Sequence, residues 1–131
     1  MLKKLLMGLL LLSATLWATV EHIEATPSAV KGMKIIDIRT PSEWMETGIV
    51  EGSHTIMFFD EQGGYDADKF LSELNKVVAK NEKFALICRT GSRTTMISQF
   101  LSEKLGYNVV NLKGGILNLM AQGYKPTPYK K

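Results

Sequence analysis

Along this chain, short apolar runs alternate with segments whose apolar residues recur every three or four positions. The runs read as strands: Thr19–Ile23, Met33–Ile38, a short piece ending at Ile56, Phe84–Ile87 and Asn108–Leu112. Between them the pattern predicts helices. A brief one starts at Thr26-Pro27 and stops at Gly32, and a second carries Glu43, Trp44 and Glu46 to Gly48, capped by Thr40 or Ser42. A third runs from the cap Asp66 to Ala79, with Phe70, Leu71, Leu74, Val77 and Val78 on one face. A fourth spans Thr94–Leu105, its apolar face being Ile97, Phe100, Leu101 and Leu105, and stops at Gly106. The last opens at Gly114-Gly115 and ends by Gly123. Strands alternating with helices imply an α/β domain, a mainly parallel sheet covered on both faces, with right-handed crossovers. Phe84–Ile87, apolar throughout, should be its central strand.

The first eighteen residues do not fit that domain. Lys3 and Lys4 form a positive end, Leu5–Leu12 is a short apolar run, and Ser13–Ala18 is less apolar with small residues. This is the layout of a secretory signal peptide, with cleavage after Ala18. The alternative is a retained membrane anchor, for which the run is short against the roughly 20 residues of a spanning helix. Membrane association is expected only in that case. The division read from the sequence is 1–18 signal peptide, 19–125 domain and 126–131 loose basic tail. Export, into a bacterial periplasm, is the expected fate.

Charge changes little. Loss of Lys3 and Lys4 reduces 16 basic residues to 14, against 13 acidic ones. The remaining lysines crowd the tail, and no aromatic-interleaved basic stripe exists, so no nucleic-acid partner is expected. His22 and His54, the two histidines, have no cysteine company, so no metal site and no cofactor are expected.

The chain has one cysteine, Cys88, which therefore has no disulfide partner within it. A free cysteine is commonly a buried structural thiol. The next five residues argue otherwise: Arg89-Thr90-Gly91-Ser92-Arg93 is polar, with a glycine in the middle and two arginines. A strand that runs through such a loop into a helix makes an anion cradle. Backbone N–H groups turn inward, the helix N-terminus adds partial positive charge, and the arginines add full charges. A thiol held there should ionise readily and act as a nucleophile. Exposed outside the cytoplasm, it would also be open to oxidation.

Asp37 and Arg39 point to the same side of an extended segment. A salt bridge tying strand end to loop is the plain reading. Residues at the C-terminal ends of parallel strands also flank ligand sites in open α/β sheets. His54 could be a general base, though a loop histidine bonded to backbone is the simpler reading.

Taken together, Ile36-Asp37-Ile38-Arg39, Glu43-Trp44, Gly48-Ile49-Val50-Glu51-Gly52-Ser53, Cys88-Arg89-Thr90-Gly91-Ser92-Arg93 and Leu112-Lys113-Gly114-Gly115 resemble, in order and spacing, a single-domain rhodanese. The resemblance covers Val20–Lys125. It implies a three-layer fold, a mostly parallel five-stranded sheet with helices on both faces. It also implies a sulfurtransferase in which Cys88 carries a persulfide and the six-residue loop cradles it. Ile49 stands where the family often has histidine, a change expected to affect packing. Ile116 and Leu119 stand where tryptophan is frequent, which bears on the wall of the site.

The implied substrates are a small sulfur-containing anion such as thiosulfate and an acceptor, cyanide or a thiol. A thiol redox protein is a further candidate partner. Arg89 and Arg93 would bind or steer the anion, or brace the loop, Arg93 being the better candidate for bracing because it enters the helix. Two other readings compete. A persulfide carrier or docking module would keep Cys88 without small-molecule turnover. A phosphatase or arsenate reductase also uses a cysteine cradle, but with five residues before the arginine. Here four separate Cys88 from Arg93, a loop better suited to one sulfur than to a tetrahedral oxyanion.

Overall fold

A computed structural model describes residues 19–131; the expected signal peptide lies outside them. Five strands form one sheet in the order β1-β5-β4-β2-β3, with every pairing parallel. They are β1 (Glu21–Glu24), β2 (Ile35–Asp37), β3 (His54–Thr55), β4 (Phe84–Ile87) and β5 (Val109–Lys113). β4 is central, as its uninterrupted apolar run predicts, and all four of its residues are buried.

Among the described residues four α-helices accompany them: α1 (Pro41–Thr47), α2 (Ala67–Val77), α3 (Ser92–Gln99) and α4 (Gly115–Ala121). Alternation along the strands divides the core in two. Phe84, Leu86 and Cys88 join Ile36, Ile38, Phe70, Leu74, Ile97 and Leu101 on the face covered by α2 and α3. Ala85 and Ile87 join Ile35, Val110, Leu112, Ile116 and Leu119 on the face covered by α4. The helix caps are those the residue types favour. Thr40 and Glu43 make a reciprocal capping box on α1, and Asp66 caps α2.

Four expectations are corrected. Residues 27–32 form turns rather than a helix, with one i→i−4 bond, Val30 N–H to the Thr26 carbonyl. The segment is too short to repay helix nucleation, and Pro27 supplies no donor. The helix expected through Leu105 is α-helical only to Gln99 and continues as a π-helical turn, Phe100–Lys104. The tail is not loose. Ile49 and Thr127 exchange two backbone hydrogen bonds of 2.8 Å, and Tyr129 packs on Trp44 with ring centroids 5.3 Å apart. Finally, Ile116 and Leu119 are core residues, both 0% exposed, and form no wall of a site. Among the described residues no helix is long and apolar enough to cross a membrane.

Candidate active site

The strand order places the chemistry. The chain leaves β2 toward β3 at one edge of the sheet and leaves β4 toward β5 in the other direction. The loops after neighbouring β2 and β4 therefore diverge, which opens a crevice at the carboxyl ends of the strands. One side of this crevice is Asp37-Ile38-Arg39-Thr40 and α1; the other is Cys88–Arg93 and the start of α3.

On the second side, Cys88 comes directly after β4. Its sulfur accepts a hydrogen bond from the Gly91 N–H at 3.1 Å and lies 3.6 Å from Thr94 Oγ1. Gly91 has φ 95°, and this left-handed turn aims its N–H at the sulfur and starts α3 without a side-chain cap. Thr95 Oγ1 donates to the Gly91 carbonyl at 2.8 Å and Thr94 Oγ1 at 3.1 Å, holding the turn from the helix. The expectation of an exposed thiol is corrected: Cys88 is 0% exposed. It sits on the strand face that packs against the α2–α3 core, with the loop folded over it. Thr90 and Ser92 are exposed, their hydroxyl oxygens 3.4 Å apart.

Gly114-Gly115 supports this loop from behind. The N–H of Ile116 donates to the Cys88 carbonyl at 2.9 Å, and that of Leu117 to the Arg89 carbonyl at 3.1 Å. The start of α4 thus carries the loop backbone rather than an anion. Such an approach requires glycine, since a Cβ on Gly115 would come within 2.5 Å of the Cys88 carbonyl oxygen. The double glycine was readable in the sequence as a helix opener, but not as the support of a segment elsewhere in the chain.

On the first side, Asp37 and Arg39 form a fully buried pair. Arg39 Nη2 meets Asp37 Oδ2 at 2.9 Å and Nε meets Oδ1 at 3.0 Å. The Trp44 indole N–H donates to Asp37 Oδ1 at 3.1 Å, while Arg39 also donates to the Thr47 hydroxyl and the Gly48 carbonyl. Asp37 lies in register with Ile87, so its side chain leaves the sheet on the face opposite Cys88. The pair anchors α1 to the end of β2; it does not touch the sulfur.

The two sides are joined by Glu43 and Arg93. Both terminal guanidinium nitrogens of Arg93 donate to the Glu43 carboxylate at 2.8 Å. Burial alone would push the Glu43 carboxyl up from its ordinary 4.5. Hydrogen bonds from Arg93 and the Thr40 N–H, with the charge of Arg93, outweigh this and hold it at about 2. Arg93 is raised in turn, chiefly by the Glu43 hydrogen bond. Arg89 faces Glu46 of α1 at 3.7 Å, a more exposed contact. Glu43 thus holds Arg93 and Glu46 faces Arg89 loosely, and neither is named in the sequence reading as a site residue. Glu43 was readable as a residue of the second helix, but its partner lies fifty positions away. A cleft of about 770 Å³ opens beside this bridge, lined by Thr40, Ser42, Glu43, Asp60, Glu61 and Arg93 among others. His54 lies on edge strand β3, whereas His22 bonds to Asn111 at 3.0 Å.

Comparison with known proteins agrees with this architecture. No curated protein matches the chain in sequence. Among solved structures, a rhodanese-related protein from Thermoplasma volcanium is similar at 27% identity and a TM-score of 0.57, over 77% of this chain and 93% of that one. A rhodanese-like domain protein from Staphylococcus aureus shares the fold at 23% identity and a TM-score of 0.56, over 75% and 89% of the two chains. The match to reduced Bacillus anthracis CoADR-RHD, at 24% identity and a TM-score of 0.55, covers 76% of this chain but 16% of that longer one. The family model for the rhodanese-like domain matches residues 20–122, nearly the whole described body, and the chain belongs to that family.

Proposed function

We propose that the protein is a sulfurtransferase that moves a sulfane sulfur through a persulfide on Cys88. The observation that carries this reading is the Gly91 N–H aimed at the Cys88 sulfur at 3.1 Å, at the start of a helix. That donor and the helix terminus put partial positive charge where the sulfur of Cys88, or the outer sulfur of a persulfide in its place, would carry negative charge during transfer. In the first step the thiolate attacks the sulfane sulfur of a donor such as thiosulfate. A new S–S bond forms to Cys88, the donor's S–S bond breaks, and the electron pair leaves on sulfite. In the second, cyanide or a thiolate attacks the outer sulfur, and the pair of the breaking bond returns to Cys88. Neither step requires removal of a proton from a neutral nucleophile, which suits a sulfur whose hydrogen-bond contacts among the described residues are the Gly91 N–H and the Thr94 hydroxyl.

Within this reading the leader at residues 1–18 directs export, into the periplasm of a bacterium, and is removed there. The test of the chemistry is the intact mass of the protein. Thiosulfate should add one sulfur mass, cyanide should remove it, and Cys88→Ser should abolish both. Transfer that survives Cys88→Ser overturns the proposal.

One observation favours a persulfide carrier as the second reading: the sulfur is fully buried, so a docked protein could be needed to open the loop. Persulfidation of Cys88 without turnover of small donors and acceptors would select the carrier.

A further inference from the structure

An arginine-rich cysteine loop reads as a receptor for small anions, yet here the arginine at the start of the helix, Arg93, is already taken. Arg93 is held in two hydrogen bonds of 2.8 Å by Glu43, and Arg89 faces Glu46 at 3.7 Å. Both carboxylates come from α1, on the opposite wall of the crevice. Glu43 is fixed in place by more than its partner, because its Oε1 also accepts from the Thr40 N–H at 3.3 Å and the Thr40 hydroxyl at 3.2 Å. A dianion that needs Arg93 must therefore break a two-bond ion pair in a partly dehydrated place. The cleft beside the pair opposes it too, with three carboxylates, Glu43, Asp60 and Glu61, against the one guanidinium of Arg93. What remains beside the sulfur is the Gly91 N–H, the start of α3 and the exposed, loosely paired Arg89, a weaker set for a second negative charge than a site with Arg93 free would be.

We infer that Glu43 sets donor specificity by neutralising Arg93, so that the site takes its sulfur from a low-charge persulfide of a thiol in preference to thiosulfate. This rests on the sulfur-transfer reading above. In the step, the Cys88 thiolate attacks the outer sulfur of R–S–SH. The S–S bond of the donor breaks, its electron pair leaves as R–S⁻, and the outer sulfur keeps its proton on Cys88. Glu43 is a positioning residue here, acting through Arg93.

The test compares thiosulfate with the persulfide of 2-mercaptoethanol, whose carrier has no charged group, as donors, at fixed pH, in the wild type, Glu43→Gln and Glu61→Gln. Glutamine keeps an acceptor for Arg93 and for the Thr40 N–H while removing the charge. The ratio of kcat/KM for thiosulfate to that for the persulfide should rise roughly fivefold in Glu43→Gln, mostly through KM. It should rise by a smaller factor in Glu61→Gln, which leaves the Arg93 bridge and the α1 cap intact. Added salt should raise the wild-type value for thiosulfate by screening the carboxylates. An unchanged or lower ratio in both variants, or a wild-type thiosulfate rate that falls with salt, overturns the inference.

Calorimetry separates this from the chemistry itself. Thiosulfate should bind tighter to Cys88→Ser carrying Glu43→Gln than to Cys88→Ser alone, and equal or weaker binding also overturns it. If neither donor adds sulfur to Cys88, the sulfur-transfer reading fails, and the binding comparison still decides the role of Glu43.

Discussion

Two carboxylate–guanidinium pairs brace the crevice, and they differ in how far each is removed from water. Asp37–Arg39 has both side chains at 0% exposure, and its remaining donors and acceptors are satisfied by Trp44, Thr47 and Gly48. Glu43–Arg93 is 17% and 24% exposed, and spans from one loop to the other. The first joins residues two apart in sequence and belongs to one wall. The second crosses the opening and can change without dismantling either wall. Burial thus separates scaffolding from tuning: a charge locked in the interior is too costly to disturb, whereas one at a cleft can respond to what enters.

That difference can be broken in order of size. Asp37→Ala should destabilise the protein by about 3–5 kcal/mol in urea denaturation, because it strands the buried Arg39 charge. A loss under about 1 kcal/mol would mean that water reaches Arg39. Glu43→Ala should cost about 1–2 kcal/mol, combining a partly exposed ion pair with half of a capping box. Acid should expose the same pair without mutation. The Glu43 carboxyl lies at about 2 in the folded state against an ordinary 4.5, so its stabilisation is complete above about pH 4.5. It is lost as pH falls toward 2, and the wild type should lose more stability than Glu43→Gln across that window. A parallel decline in the two proteins would contradict the geometry. Arg89→Ala should be smallest, within about 0.5 kcal/mol, since its contact with Glu46 is 3.7 Å and exposed.

How much of this was legible depends on range. The strand, loop and helix around Cys88 were readable because their signals are adjacent: an apolar run, a glycine, then helical periodicity. So was the central place of β4, since only a strand covered on both faces can be apolar throughout. The Asp37–Arg39 pair comes from two-residue alternation. The Glu43–Arg93 bridge and the support of the loop by α4 were not readable, because each joins segments whose nearness is created only by the sheet order. The docked tail was misread because its lysines and prolines look solvated, while Thr127 and Tyr129 contribute one bridge and one ring contact.

By itself the sequence determined an α/β domain, its central strand, the divided apolar faces and the one thiol in a glycine-turned loop. These depend on residues close along the chain, where periodicity and turn chemistry act. Tertiary structure alone decided that the thiol is covered, that α4 carries its loop, and that an acidic residue of α1 holds Arg93 while another only faces Arg89. The local sequence places two positive charges beside Cys88. Whether they remain available to an anion depends on which carboxylates the fold brings across the crevice, and hydrogen bonding at 2.8 Å between residues fifty apart answers that for Arg93.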